Sequence, residues 1–112
     1  MMAKITMTPA ILEWVAERFK LLGDPTRLRL LQALREGEAT VTDLVTTTGL
    51  GQANVSKHLQ QLHAHGYVAR RKDGLFTWYR LSDREVFQLC DLMCGRLERD
   101  LAAQKKLLGG GR

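Results

Sequence analysis

Two cysteines, Cys90 and Cys94, stand four residues apart and are the only thiols in the chain. At that spacing on a helix, both side chains lie on the same face. Two thiolates one turn apart can bind a soft, thiophilic centre such as a trivalent arsenical, or can respond to oxidation or to sulfane sulfur. Free cysteine also behaves as a small apolar residue that is often buried, so a structural role for the pair stays open.

A second set of residues has the chemistry needed to contact nucleic acid. On the helix that begins near Gln52, the residues Val55, Leu59 and Leu62 form one apolar stripe. The opposite face is polar, and asparagine or glutamine can pair with adenine while lysine reaches guanine or phosphate. The predicted DNA-contacting residues are Gln52, Asn54, Ser56, Lys57 and Gln61 on this helix, followed by Arg70, Arg71 and Lys72. His58 lies at the edge of the apolar stripe, which predicts a half-buried structural residue.

The distribution of charge supports the same partner. The formal net charge is +5 and the sequence pI is about 9.6. Between Gly51 and Arg80 five lysines and arginines accompany a single acidic residue, Asp73, so most of the net charge falls in this stretch. A small basic domain favours nucleic acid over a membrane surface as its partner. A solvated basic surface with no partner is the alternative.

Length and composition exclude several classes. The 112 residues predict a single domain over 1–112, and the apolar runs are too short to cross a membrane. Residues 1–8 show no signal-peptide pattern, so we expect a cytoplasmic protein. The chain lacks a nucleophile–base–acid set and a glycine-rich phosphate loop, which predicts a protein that is not an enzyme and requires no cofactor.

Helix start signals divide the first half of the chain. Thr8-Pro9 and Asp24-Pro25 each place a capping residue before a proline, which predicts two helix starts and a first helix over 8–22. Thr42 is the predicted cap of a short third helix, and a few residues containing glycine separate that helix from the fourth. Two helices joined in this way are typical of a helix-turn-helix.

The pattern changes after Gly66. Asp73-Gly74 predicts the two-residue turn of a β-hairpin, although the sequence leaves open which face of the second strand is buried. The run 82–85 has the pattern of a capping box, which predicts a last helix over 83–108 and a flexible tail at 109–112. The predicted fold class is mainly α with one β-hairpin, in the order α-α-α-α-β-β-α of a winged helix-turn-helix.

Three blocks of this sequence resemble the ArsR/SmtB family of winged-helix bacterial repressors. Leu22–Leu31 is similar to the start of the family pattern, Gln52–Leu62 to its recognition helix, and Gly66–Leu81 to its wing. The resemblance implies a homodimeric repressor, with 8–22 and 83–108 as dimerisation helices, that leaves double-stranded operator DNA when an inducer binds. It places Gln52, Asn54, Ser56 and Lys57 in the major groove, and Arg70, Arg71 and Lys72 near the backbone or minor groove.

The sequence also departs from the family pattern. The segment Thr40–Leu44 lacks the two cysteines of one family metal site, and the last helix lacks the histidine of another. Leu75 stands at a wing-tip position that is often basic. With those sites missing, an inducer would act through Cys90 and Cys94, as a thiolate-bound metalloid or metal ion or as a redox or sulfur signal. The alternative is a ligand-independent DNA-binding or protein-interaction module with structural cysteines.

Overall fold

A computed structural model describes residues 5–109 and divides the chain into two compact units, with the boundary between Ser82 and Asp83. Three of the four residues of the predicted tail, 110–112, lie outside the described residues. The second unit holds one long helix, α5 (Val86–Leu108). The first unit holds α1 (Pro9–Leu22), α2 (Pro25–Ala33), a 3₁₀ turn (Leu34–Glu36), β1 (Ala39–Thr40), α3 (Val41–Thr48), α4 (Gln52–Ala64), β2 (Val68–Asp73) and β3 (Phe76–Leu81).

The first two helices begin where the capping signals predict. The hydroxyl of Thr8 accepts a hydrogen bond from the Ile11 amide at 3.2 Å, and the Asp24 carboxylate accepts one from the Arg27 amide at 3.1 Å. In both helices a proline occupies the first turn, where the missing N–H would have had no partner within the helix.

Asp24 gives a stability prediction with a defined pH dependence. The hydrogen bond from the Arg27 amide holds the pKa of Asp24 below its usual value. The cap therefore stabilises the fold above the unfolded-state pKa of about 3.9 and is lost as pH falls through the lower folded-state pKa. We expect Asp24→Ala to lower the free energy of unfolding by about 1 kcal/mol at neutral pH, measured by urea unfolding.

The matched variant is Asp24→Asn, which keeps a capping oxygen but does not titrate. It should retain most of the stability at neutral pH, because asparagine caps as well as aspartate. Its stability should also fall less than that of the unmodified protein between neutral pH and about pH 3. Identical losses in the two proteins over that range would contradict the assigned role of the Asp24 carboxylate.

The cap of α3 differs from the prediction. Thr40, not Thr42, is the N-cap: its hydroxyl accepts from the Asp43 amide at 3.1 Å, and the Asp43 carboxylate accepts from the Thr40 amide at 3.0 Å. This reciprocal pair needs an acidic residue three positions after the cap, and the residue at that distance from Thr42 is Val45. The prediction of Thr42 was therefore wrong.

Gly66 turns the chain from α4 into the wing, as predicted. It has φ +81°, and its amide donates to the His63 carbonyl at 3.0 Å. The Tyr67 amide donates to the Leu62 carbonyl at 2.9 Å. These two bonds are the Schellman arrangement, which requires the left-handed backbone conformation that glycine adopts at low cost.

The sheet has three antiparallel strands in the order β1-β3-β2, one more than the predicted hairpin. The additional strand β1 has two residues, and Ala39 pairs with Tyr79. The hairpin turn is displaced by one residue from the predicted Asp73-Gly74, because Asp73 pairs with Phe76 and the turn residues are Gly74 and Leu75. Gly74 has φ +62° and Leu75 does not have positive φ, a combination typical of a type II′ turn with glycine first.

The start of the last helix also differs from the prediction. The expected capping box over 82–85 does not form: α5 begins at Val86, and its N-cap Glu85 makes no side-chain capping bond. The Glu85 amide donates instead to the Asp83 carboxylate at 2.8 Å. That local turn occupies the amide and delays the helix, so the predicted range 83–108 begins three residues too early.

The core of the first unit fixes the orientation of α4. Packing joins α4 to α2, α3 and β2. The largest fully buried side chains are Leu30, Leu31, Leu34, Leu44, Val55, Leu59, Leu62 and Val68. Among the helices of residues 5–109, none is long and apolar enough to span a bilayer.

Candidate nucleic-acid interface

The polar face of α4 is exposed because its apolar stripe is buried. Val55, Leu59 and Leu62 each have 0% exposure. At about 100° per residue, Lys57 lies opposite the centre of that stripe. Of the residues predicted to contact DNA, Gln52, Asn54, Lys57 and Gln61 are exposed and Ser56 is half-buried. Asn54, Lys57 and Gln61 thus lie on the part of α4 that faces away from the core, whereas Ser56 lies at its flank and Gln52 is exposed at the N-terminal end of the helix.

Helices α3 and α4 and the short turn between them form a helix-turn-helix. Helix α3 ends at Thr48, its C-cap Gly49 has φ +72°, and the helix packs against α4. Gly51 is the N-cap of α4 and has no side chain to accept from the amides of the first turn. Those amides can therefore face an anion, and the helix dipole adds partial positive charge at this end.

The wing places its basic residues on two different faces. Arg70 pairs with Tyr79 across the hairpin, and Lys72 pairs with Thr77. Because side chains alternate along a strand, Arg70 and Lys72 share the sheet face of the buried Val68 and Tyr79. A surface cleft of about 490 Å³ is lined by Arg70, Arg71, Lys72, Thr77 and Tyr79.

Arg71 lies on the opposite face of the sheet and is already engaged. Its guanidinium donates from Nε and Nη2 to the two carboxylate oxygens of Glu38, at 3.1 and 2.5 Å. It also lies 3.6 Å from the Asp73 carboxylate and 5.6 Å from the centre of the Trp78 ring. The bond with Glu38 holds the pKa of Glu38 below its usual value and raises the pKa of Arg71. The Arg71 side chain thus lies on the sheet face opposite to the side chains of Arg70 and Lys72, although all three residues line the cleft.

The two thiols lie on α5, in the second unit. Cys90 is half-buried, Cys94 is exposed, and neither forms a disulfide. The helix face that carries them also exposes the large apolar side chains Met93, Leu97 and Leu101. Within residues 5–109 no group of three or more histidine, cysteine, aspartate or glutamate side chains could hold a metal ion. One chain therefore offers a pair of thiols and, within residues 5–109, no third cysteine, histidine or carboxylate grouped with them.

The structure also reveals a contact behind α4 that the sequence pattern did not predict. Arg27 Nε donates to His58 Nδ1 at 3.0 Å, which explains the half-buried position of His58. His58 was therefore placed correctly by its position on the helix. Its partner, however, lies 31 residues away on α2, beyond any local spacing rule.

Comparison with known protein families identifies the relatives of this chain. The family model described as "Bacterial regulatory protein, arsR family" matches residues 24–70. The arsenic resistance transcriptional regulator ArsR1 of Pseudomonas putida is 42% identical over 76 residues, which cover 67% of this chain and 59% of that protein. The chain spans between 37% and 59% of the length of three further curated relatives.

Solved structures extend the match over most of the chain. The AntR antimony-specific transcriptional repressor has a TM-score of 0.73 and 32% identity, covering 91% of this chain and 93% of that one. A homodimeric winged helix-turn-helix DNA-binding domain from Mycobacterium bovis has a TM-score of 0.65 and 30% identity, covering 96% and 94%. The names of these relatives describe regulators and not enzymes. With its winged helix-turn-helix fold, this chain belongs to the ArsR family of bacterial regulatory proteins.

Proposed function

We propose that this protein is a transcriptional repressor that binds operator DNA as a homodimer and releases it when an inducer binds. The observation that carries the proposal is the exposed polar face of α4, opposite a fully buried stripe and next to a basic wing. The names of the relatives support it, since they include regulators of arsenic resistance and an antimony-specific repressor.

In this proposal α4 lies in the major groove. Asn54 and Gln61 have the donor and acceptor groups that recognise adenine, and Lys57 reaches guanine or a phosphate. Gln52 and Ser56 contact DNA in the same groove from the start and the flank of α4, and the free amides at the start of the helix attract phosphate. Arg70 and Lys72 contact phosphates from the wing face that continues toward α4. Arg71 would have to leave Glu38 to do the same.

The exposed apolar faces of α1 and α5 support a homodimer. Trp14 and Phe19 on α1, and Leu97 and Leu101 on α5, are all more than half exposed in the single chain. Apolar surface on this scale marks an interaction site in a soluble protein. We propose that α1 and α5, which occupy most of the predicted dimerisation ranges 8–22 and 83–108, are covered by a second copy of the chain.

Cys90 and Cys94 are proposed to bind the inducer. The Cβ atoms of residues four apart on a helix are about 5–6 Å apart. A disulfide needs about 3.5–4.5 Å, so direct oxidation of the pair would require unwinding of α5. A thiophilic atom can bridge the two sulfurs instead. With a monomethylated trivalent arsenical, two S–H and two As–OH bonds are exchanged for two As–S bonds, and two waters leave without any redox change.

Lys57→Ala tests the DNA-binding part of the proposal. We expect operator affinity, measured by fluorescence anisotropy with DNA from upstream of the protein's own gene, to fall by about 10-fold or more. If the dimer neutralises about eight phosphates, log K should fall against log salt with a slope near −7. The variant should show a slope that is shallower by about 1 for each phosphate contact it loses.

Lys105→Ala is the matched control, because it removes the same charge from the end of α5, outside α4 and the wing. It should leave operator affinity within about twofold of the original, because Lys105 is not among the residues proposed to contact DNA. Equal losses in the two variants would reduce the proposed interface to a general attraction between basic protein and polyanion. Circular dichroism should show unchanged helix content for both variants.

A further inference from the structure

Arg27 connects the end of one helix to the side of another. Its Nη1 donates to the carbonyl of Leu21, in the last turn of α1, at 3.0 Å. Its Nε donates to His58 Nδ1 on α4, also at 3.0 Å. Its backbone amide is held by the capping carboxylate of Asp24. The half-buried side chain of Arg27, on α2, thus connects that helix to both α1 and α4.

The direction of the bond defines the protonation state of His58. Arginine only donates hydrogen bonds, so Nδ1 must accept and carries no proton, and the neutral ring holds its proton on Nε2. A doubly protonated imidazolium has no acceptor. Protonation would therefore break the bond from Arg27 and leave two cations 3.0 Å apart. Histidine is the side chain whose charge ordinarily changes between about pH 5 and 8.

The charged residues near the Arg27–His58 contact determine what a protonated His58 would meet. The Asp24 carboxylate is near enough to interact electrostatically with His58, but it is already bound to the Arg27 amide. Its charge acts on both Arg27 and His58 but does not restore their hydrogen bond, because a protonated Nδ1 can no longer accept. Three other charged residues of α2, α3 and β2 have partners of their own: Arg29 donates to the Thr48 carbonyl, Asp43 accepts from the Thr40 amide, and Arg71 binds Glu38. The remaining ones, Arg70, Lys72 and Asp73, follow Val68 along β2 toward the hairpin turn.

We infer that Arg27 and His58 are positioning residues that hold α4 in its DNA-binding orientation while His58 is neutral, and that protonation of His58 releases this hold. The inference rests on the proposed DNA-binding function. It predicts that acidification weakens operator binding. This sign is opposite to that of a general electrostatic effect, since extra positive charge on the protein strengthens its attraction to DNA.

The test compares operator affinity at about pH 7.5 and about pH 5.5 for the unmodified protein and His58→Gln. The glutamine side-chain oxygen can accept from Arg27 at both pH values. The loss of affinity on acidification should be about 5-fold greater for the unmodified protein than for the variant, which is the effect of one hydrogen bond of ordinary net strength. His65→Gln, which removes an exposed histidine from the C-terminal cap of the same helix, should keep the full pH response. Equal pH responses in the unmodified protein and His58→Gln would overturn the inference.

A measurement without DNA separates this inference from the proposed function. Nitrogen-15 NMR of the imidazole should show the Nε2–H form at about pH 7.5. Hydrogen exchange of the α4 amides should accelerate on acidification, after correction for the intrinsic rate, in the unmodified protein but not in His58→Gln. If neither the unmodified protein nor the variants bind the operator at neutral pH, the proposed DNA-binding function is rejected. The NMR and exchange measurements then test by themselves whether protonation of His58 loosens α4. If His58 is protonated and the exchange protection of α4 does not change, the inference is overturned.

Discussion

Replacing Leu59 by alanine is expected to lower the free energy of unfolding by about 2–5 kcal/mol. The Leu59 side chain has 0% exposure and lies at the centre of the buried stripe of α4. Alanine loses the transfer free energy of the removed carbons and leaves a cavity, because the core packed around α4 relaxes only in part. At the upper end of this range the loss approaches the total stability of an ordinary domain, and much of the protein would then be unfolded at equilibrium.

Urea unfolding followed by circular dichroism measures this effect, with Leu75→Ala as the matched control. Leu75 is 100% exposed in the hairpin turn, so the same chemical change should alter stability by no more than about 0.5 kcal/mol. A Leu59→Ala protein as stable as the control would mean that α4 does not pack through this stripe. The orientation of Asn54, Lys57 and Gln61 would then lose its basis.

The parts of the fold that the sequence predicts correctly are those governed by neighbours within one helical turn. Thr8-Pro9, Asp24-Pro25 and the Schellman end at Gly66 all depend on residues at most five positions apart. The errors at Thr42 and at 82–85 are also local. At α3, reciprocal bonds between Thr40 and Asp43 place the cap two residues before Thr42. At 82–85, the bond from the Glu85 amide to the Asp83 carboxylate forms in place of the capping box.

The remaining features depend on contacts that no local pattern contains. Strand β1 has two residues and exists only because Ala39 meets Tyr79, forty residues later in the chain. Alternation along the strand also left open which face of β3 is buried, and the structure identifies it as the face of Tyr79, which is 5% exposed. Of the candidate site, the polar face of α4 followed from helical periodicity. Alternation along β2 is enough to separate Arg70 from Arg71, but the pairing of Arg71 with Glu38, 33 residues away, depends on the sheet that brings the two together.

The double variant Cys90→Ser/Cys94→Ser is expected to abolish the response to the inducer while leaving operator binding intact. Coupling between an inducer site and a DNA site is ordinarily worth about 5- to 150-fold in affinity. We expect a monomethylated trivalent arsenical to weaken operator binding of the unmodified protein within that range, and to change that of the variant by less than about twofold. Serine is nearly the same size as cysteine, so the fold and the affinity without inducer should not change.

Anisotropy titrations of the reduced proteins, with and without the arsenical, measure both quantities. Because the coupling is reciprocal, saturating operator DNA must weaken arsenical binding by the same factor, which gives an independent check. If the arsenical weakens operator binding by the variant as much as by the unmodified protein, the inducer site lies outside α5. If only sulfane sulfur releases the unmodified protein and the variant resists it, the cysteine pair remains the sensor and its ligand is a sulfur chain. If neither agent acts on the unmodified protein, neither a trivalent arsenical nor sulfane sulfur is its inducer, and the proposed binding of the arsenical by Cys90 and Cys94 is rejected.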